Sequence, residues 1–177
     1  MRWYWLDRFT EFHSGVKAQA IKCISLGEDH MHDNYPMYPV MPHSLVVEGV
    51  AQTGGLLICE HYQYQQKVVL AKINKVTFHC LARPGDLLVY TAKIERYDEN
   101  GASVTATSVK RLANGEEVLH GEFELMFANL DHSYDGKELY RLIDYRNLMV
   151  SLRLYDVGVQ EDGVTPLQEP EIFKNLA

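Results

Sequence analysis

Three prolines at a three-residue spacing, Pro36, Pro39 and Pro42, stand immediately before an apolar run that begins at Ser44. Each proline fixes its own φ and turns the residue before it away from helix, so the approach is extended and stiff. The run that follows, Ser44 to Ile58, can form a helix and carries one carboxylate, Glu48, in its first turns. A stiff loop feeding a helix start holds polar groups at fixed distances. It also leaves N–H groups at the helix N-terminus, where a developing negative oxygen can sit. Such a segment reads as an active-site loop rather than a linker.

Composition narrows the class. A chain of 177 residues with 46% hydrophobic content suits one soluble domain with a full core. A net charge of −7, with no basic stripe, argues against a nucleic-acid partner. Cys23, Cys59 and Cys80 form no CxxC pair and leave one thiol over in any disulfide scheme, which fits a reducing, cytoplasmic setting. The opening MRWYWLDRF lacks the apolar run and small-residue cleavage site of a signal peptide. No stretch approaches the roughly 18 apolar residues of a membrane span.

The periodicity then sketches an α+β order. Imperfect alternation near residues 16–26, between Gly15 and Gly27, predicts a strand. From Ser44, a plausible N-cap, Leu45, Val46, Val50, Leu56, Leu57 and Ile58 fill more than one helix face, so the helix is buried nearly all round. Gly49, Gly54 and Gly55 weaken its intrinsic propensity and let other backbone approach closely. Strands are expected at 68–81, 87–97, 103–112 and 117–128. Asn100-Gly101 and Asn114-Gly115 are read as hairpin turns, and Pro84-Gly85-Asp86 as the other reversal. Beyond about residue 130, Leu139, Leu142, Ile143, Leu148, Met149 and Leu152 make a mixed helical stripe over 137–154, followed by a loop or tail from Asp156. That extension could cover a sheet, cap a substrate tunnel or meet a neighbouring subunit.

The proline segment, Asn34-Tyr35-Pro36-Met37-Tyr38-Pro39-Val40-Met41-Pro42-His43-Ser44-Leu45-Val46-Val47-Glu48, resembles the 3-hydroxyacyl-acyl-carrier-protein dehydratases of the hotdog fold. Their signature is approximately His-Phe-Pro-Gly-x-Pro-x-Met-Pro-Gly-x-Leu-x-x-Glu, followed by x-x-x-Gln. Pro36, Pro39, Met41, Pro42, Leu45, Glu48 and Gln52 match it without a gap. Tyr4 to Arg8, Ile21-Lys22, Ala71 to Phe78 and Arg83-Pro84-Gly85-Asp86 resemble further family segments in the same order. The family's catalytic His falls on Asn34, and its two loop glycines fall on Met37 and His43.

The resemblance implies a hotdog fold: a long buried central helix wrapped by an antiparallel sheet over residues 1–130, with a C-terminal helix and tail, 131–177, packed on the same domain. It implies a lyase of fatty-acid or related acyl-chain biosynthesis, acting on acyl-carrier-protein or CoA thioesters. No cofactor is implied. It also implies a homodimer, or a trimer of such dimers, whose sites combine one subunit's loop with the other's helix acid, and an acyl tunnel between the two helices lined by Met41, Leu45 and Val46.

Eliminating water from a 3-hydroxyacyl thioester requires a base for the C2 proton, an acid for the C3 hydroxyl and donors for the thioester oxygen. Glu48 is the acid; its bland alternative, a surface salt bridge, sits poorly with the apolar neighbours Val46, Val47, Val50 and Ala51. The N–H of His43 is a candidate oxyanion donor, and Gln52, one turn beyond Glu48, could orient a carboxylate or water. Asn34 occupies the catalytic loop position, but an amide accepts no proton near neutral pH. His32, on the same side if the segment is extended, and His43 are candidate bases, each with the plain alternative of a solvated loop residue. Asp29-His30-Met31-His32-Asp33 lacks the further ligands of a metal site, so no metal is expected. Two other readings stay open: a hotdog acyl-CoA thioesterase, and a non-catalytic acyl-thioester module. A carrier protein, being acidic, would seek a basic patch such as Lys72, Lys75 and Arg83.

Overall fold

The computed structural model describes residues 4–33, 37–112, 114–130 and 141–174. Two strands, β1 (Arg8–His13) and β2 (Lys17–Cys23), open the chain, followed by one helical turn, α1 (His30–Asp33), and the long helix α2 (His43–His61). Strands β3 (Lys67–Phe78), β4 (Leu87–Asp98), β5 (Gly101–Arg111) and β6 (Glu117–Leu130) follow. The chain closes with α3 (Leu142–Ser151), α4 (Leu154–Val157), a short strand β7 (Gly158–Val159) and α5 (Glu171–Lys174). The sheet order is β3-β6-β5-β4-β2-β1-β7, antiparallel except that β7 runs parallel to β1.

Helix α2 lies across this sheet, against β2, β3, β4, β5 and β6. Its Val46, Val50, Leu57 and Ile58 are fully buried. The sheet meets it with small side chains (Ala18, Ala20, Ala92) beside large ones (Leu88, Tyr90, Leu125), so a thick helix can settle without voids. Gly49 shows how close the approach is. A Cβ there would lie 2.6 Å from the Trp5 carbonyl oxygen and 2.7 Å from the Tyr90 ring. The glycines that weaken the helix locally are therefore what let it pack.

Several expectations shift. The helix starts at His43 with Pro42 as N-cap and without a side-chain cap, so Ser44 lies inside the first turn. A proline preset at φ −56° replaces the hydroxyl cap. The opening segment also contributes a strand, β1, whose Phe9 and Phe12 are both fully buried. The hairpin expected at Asn100-Gly101 turns one residue earlier, on Glu99-Asn100, because Asp98 pairs with Gly101. Gly101 serves a different purpose: a Cβ there would fall 2.0 Å from the Phe127 carbonyl oxygen. Residues 30–33 form a helical turn rather than an extended run, which removes the reason for placing His32 beside Asn34. Asn34 itself lies outside the described residues.

In the extension, the helical stripe is seen from Leu142 onward; Lys137 and Leu139 lie outside the described residues. The part read as loop or tail contains the end of α4, then β7 and α5. Leu148, Met149, Leu154, Leu167 and Phe173 are all buried and join the same hydrophobic core.

Candidate active site

The N-terminus of α2 organises the polar groups. Pro42 O accepts from Leu45 N at 3.0 Å and Val46 N at 3.2 Å, so the N–H groups of His43 and Ser44 precede the first intrahelical donors. Glu48 stands on the exposed side of the helix, one turn on. Gln52 donates from Nε2 to Glu48 Oε1 at 2.9 Å and accepts on Oε1 from Trp5 N, also at 2.9 Å. The amide is 8% exposed, so this two-sided clamp fixes which carboxylate oxygen is engaged. Both side chains line a pocket of ≈ 220 Å³ with Gly55, Leu70, Phe127 and Tyr145.

A larger open pocket, ≈ 820 Å³, lies at the helix start and is lined by Trp5, His30, Asp33, Pro42, Ser44 and Leu45 among others. His30 meets the Trp5 ring edge-on at 4.9 Å and has Nε2 3.8 Å from Glu28 Oε2. Burial lowers the pKa of His30, and the Glu28 carboxylate opposes that only in part, which favours the neutral ring. A neutral imidazole can accept a proton.

The other nominated residues separate. His32 is exposed, and its Nε2–H donates to Leu26 O at 2.8 Å. His43 turns its ring toward the sheet, stacked on Phe78 at 3.8 Å and 7°; burial lowers its pKa. Only its backbone N–H remains at the helix start. Met41 is 1% exposed and belongs to the core, as does the fully buried Val46, and neither lines the two pockets above. Leu45 is half-buried and does. Arg83 is held by Tyr38, with its guanidinium 5.1 Å from the ring centroid and Nη2 donating to Oη at 2.7 Å, while Lys72 and Lys75 are exposed on β3.

His30 is the group that sequence reasoning passed over. It was weighed only with His32 as a metal-binding pair, yet on a helical turn residues two apart point away from each other. His30 and Asp33 are three apart and line the same pocket. A helical reading of 30–33 would have found them.

Residues 3–122 match the FabA-like domain family. The chain belongs to that family. FabA-like relatives include the 3-hydroxyacyl-[acyl-carrier-protein] dehydratase FabZ of Caldicellulosiruptor saccharolyticus, 34% identical over 124 residues, which are 70% of this chain and 85% of that protein. FabZ of Listeria welshimeri is 35% identical over 127 residues, 71% of this chain and 85% of that protein. Among solved structures, a thioesterase family protein from Silicibacter pomeroyi aligns with TM-score 0.57 at 14% identity, covering 70% of this chain and 83% of that one. An acyl-CoA hydrolase mutant from Staphylococcus aureus, in complex with coenzyme A, aligns with TM-score 0.55 at 17% identity, covering 66% and 65%. At such identities the structural likeness speaks for the fold, and the FabA-like domain has the hotdog architecture that the proline segment implied.

Proposed function

We propose that this FabA-like protein is a 3-hydroxyacyl-[acyl-carrier-protein] dehydratase, a lyase that forms trans-2-enoyl thioesters in fatty-acid or related acyl-chain biosynthesis. The carrying observation is the Glu48–Gln52 pair, a carboxylate clamped by a buried amide one turn beyond a helix N-terminus. His30 takes the C2 proton. The N–H groups of His43 and Ser44 receive the negative charge on the thioester oxygen, and the C2–H electron pair becomes the new C2=C3 bond. Glu48 delivers a proton to the C3 hydroxyl, which leaves as water.

The site is completed in a homodimer. β3 forms one edge of the sheet, 12 residues long, with Leu70 37% and Ile73 47% exposed. A long edge with apolar side chains favours pairing with a second copy. In such a dimer, one protomer's helix-start pocket with His30 receives the other's Glu48. The three free cysteines fit a reducing, cytoplasmic setting.

The test is hydration of a crotonyl thioester, followed as loss of enoyl absorbance with a thiol-trapping reagent alongside. Enoyl loss without thiol release is the expected result. Glu48→Gln and His30→Gln each lower kcat by roughly a hundredfold or more, while Asn34→Ala retains turnover. Thiol release with the enoyl group intact would make the protein a thioesterase. Neither signal would leave a binding module.

A further inference from the structure

The sequence that follows the family match supplies a wall of the pocket at Glu48. That pocket runs down one face of α2, where Glu48, Gln52, Gly55 and Cys59 recur at helical spacing. Leu70 of β3 and Phe127 of β6 line it as well, and Tyr145 of α3 joins them where Cys59 ends the stripe. The Tyr145 hydroxyl lies 3.7 Å from Cys59 Sγ. Its ring is 9% exposed and lies 5.9 Å from the Tyr64 ring, which itself packs on Phe173 of α5 at 4.6 Å. Leu148 and Met149, the next turn of α3, are buried in the same core.

The lining is graded. Its polar groups, Glu48 and Gln52, stand at one end; beyond them come Gly55, Leu56, Val68 and Phe127. That order matches a ligand with a reacting polar head and an apolar chain. We propose that Tyr145 closes the far end of this groove and so limits the length of the acyl chain that the protein accepts. This rests on the acyl-thioester reading above and gives the C-terminal extension a role in selecting the substrate. From Glu48 to Cys59 the helix advances about 16 Å at 1.5 Å per residue. Extended single-bonded chain covers about 1.2 Å per bond, so roughly a dozen carbons reach the ring.

The test uses S-alkyl pantetheine thioethers of graded length, from four to sixteen carbons, which bind but neither hydrolyse nor eliminate. Wild-type affinity should rise with length to about twelve carbons and fall at least tenfold at sixteen. Tyr145→Leu should recover most of that loss at sixteen carbons. Tyr145→Trp, which adds volume at the same place, should move the limit about three carbons shorter, so either folded variant decides the matter. A length profile that is the same in wild type and in a folded variant overturns the proposal. Crotonyl hydration measured on the same preparations separates the two readings. A shifted profile without hydration leaves the length limit standing and removes the dehydratase assignment. Hydration with an unshifted profile does the reverse, and no binding at any length together with no hydration removes both.

Discussion

Gln52 binds two chain segments at once: its Nε2 donates to Glu48 Oε1 and its Oε1 accepts from Trp5 N, both at 2.9 Å. The amide's orientation is thereby set, because its oxygen must face the backbone N–H and its nitrogen the carboxylate. Gln52→Glu would turn a donor into a second carboxylate facing Glu48. A hydrogen bond to a charged group contributes about 1.5–3 kcal/mol, so kcat for hydration should fall by roughly 10–100-fold in Gln52→Ala and further in Gln52→Glu. The KM should change less than kcat. Unchanged kcat in both variants would mean that Glu48 needs no such orientation.

Gly49→Ala sets two effects against each other. Alanine raises helix propensity by about 1 kcal/mol. Its Cβ, however, would lie 2.6 Å from a backbone oxygen and 2.7 Å from a fully buried tyrosine ring, neither of which can swing away. Overpacking of that kind costs about 1–3 kcal/mol or more, so the net effect is a loss of stability. Denaturant midpoints compare the two proteins directly. A midpoint equal to or above wild type would show that the Trp5 segment yields.

Much of this was legible in the chain. Pro42 followed by an apolar run marked the helix start, with the N-cap two residues before the Ser44 expected, and the four-residue spacing of Glu48 and Gln52 put them together as observed. What escaped was tertiary. Gly101 looked like a turn glycine, but its role is to let the Phe127 carbonyl approach, a contact with a strand more than twenty residues away. Nothing local in residues 30–33 distinguishes one helical turn from an extended run, so the sequence alone does not bring His30 and Asp33 together. Tyr145 carries no motif; its relation to Glu48 exists only because α3 folds back on α2.

Glu60 is a carboxyl buried far from the helix start. It is 4% exposed and accepts from Ser14 Oγ at 2.6 Å. Burial raises its pKa, and the serine hydrogen bond offsets that only in part. Below the unfolded value near 4.5 the acid is protonated in both states; as pH rises through the higher folded value, stability is lost. Glu60→Gln keeps an acceptor for Ser14 without the charge. It should raise the thermal midpoint at pH 8 and change it little at pH 4. Equal effects at the two pH values would rule out the charge as the cause.

His120 carries the opposite sign. It occupies the irregularity in β6 between the Ser108–Gly121 and Val109–Leu119 pairs, is fully buried, and shares a 3.0 Å hydrogen bond between Nδ1 and Ser108 Oγ. Burial, with the nearby His43 ring adding to it, pushes its pKa down to about 4; Lys110 and His79 act the same way and Asp86 opposes them. The unfolded chain binds the proton near pH 6.5 and the folded chain does not until about 4, so stability is complete above 6.5 and declines as pH falls. A difference of that size corresponds to a few kcal/mol over the interval. His120→Gln removes the titration and keeps a group able to bond Ser108. Unfolding free energies of the two proteins, measured between pH 7.5 and 4.5, should diverge on the acid side, with wild type falling more steeply. Parallel curves would assign the acid loss of stability to other groups.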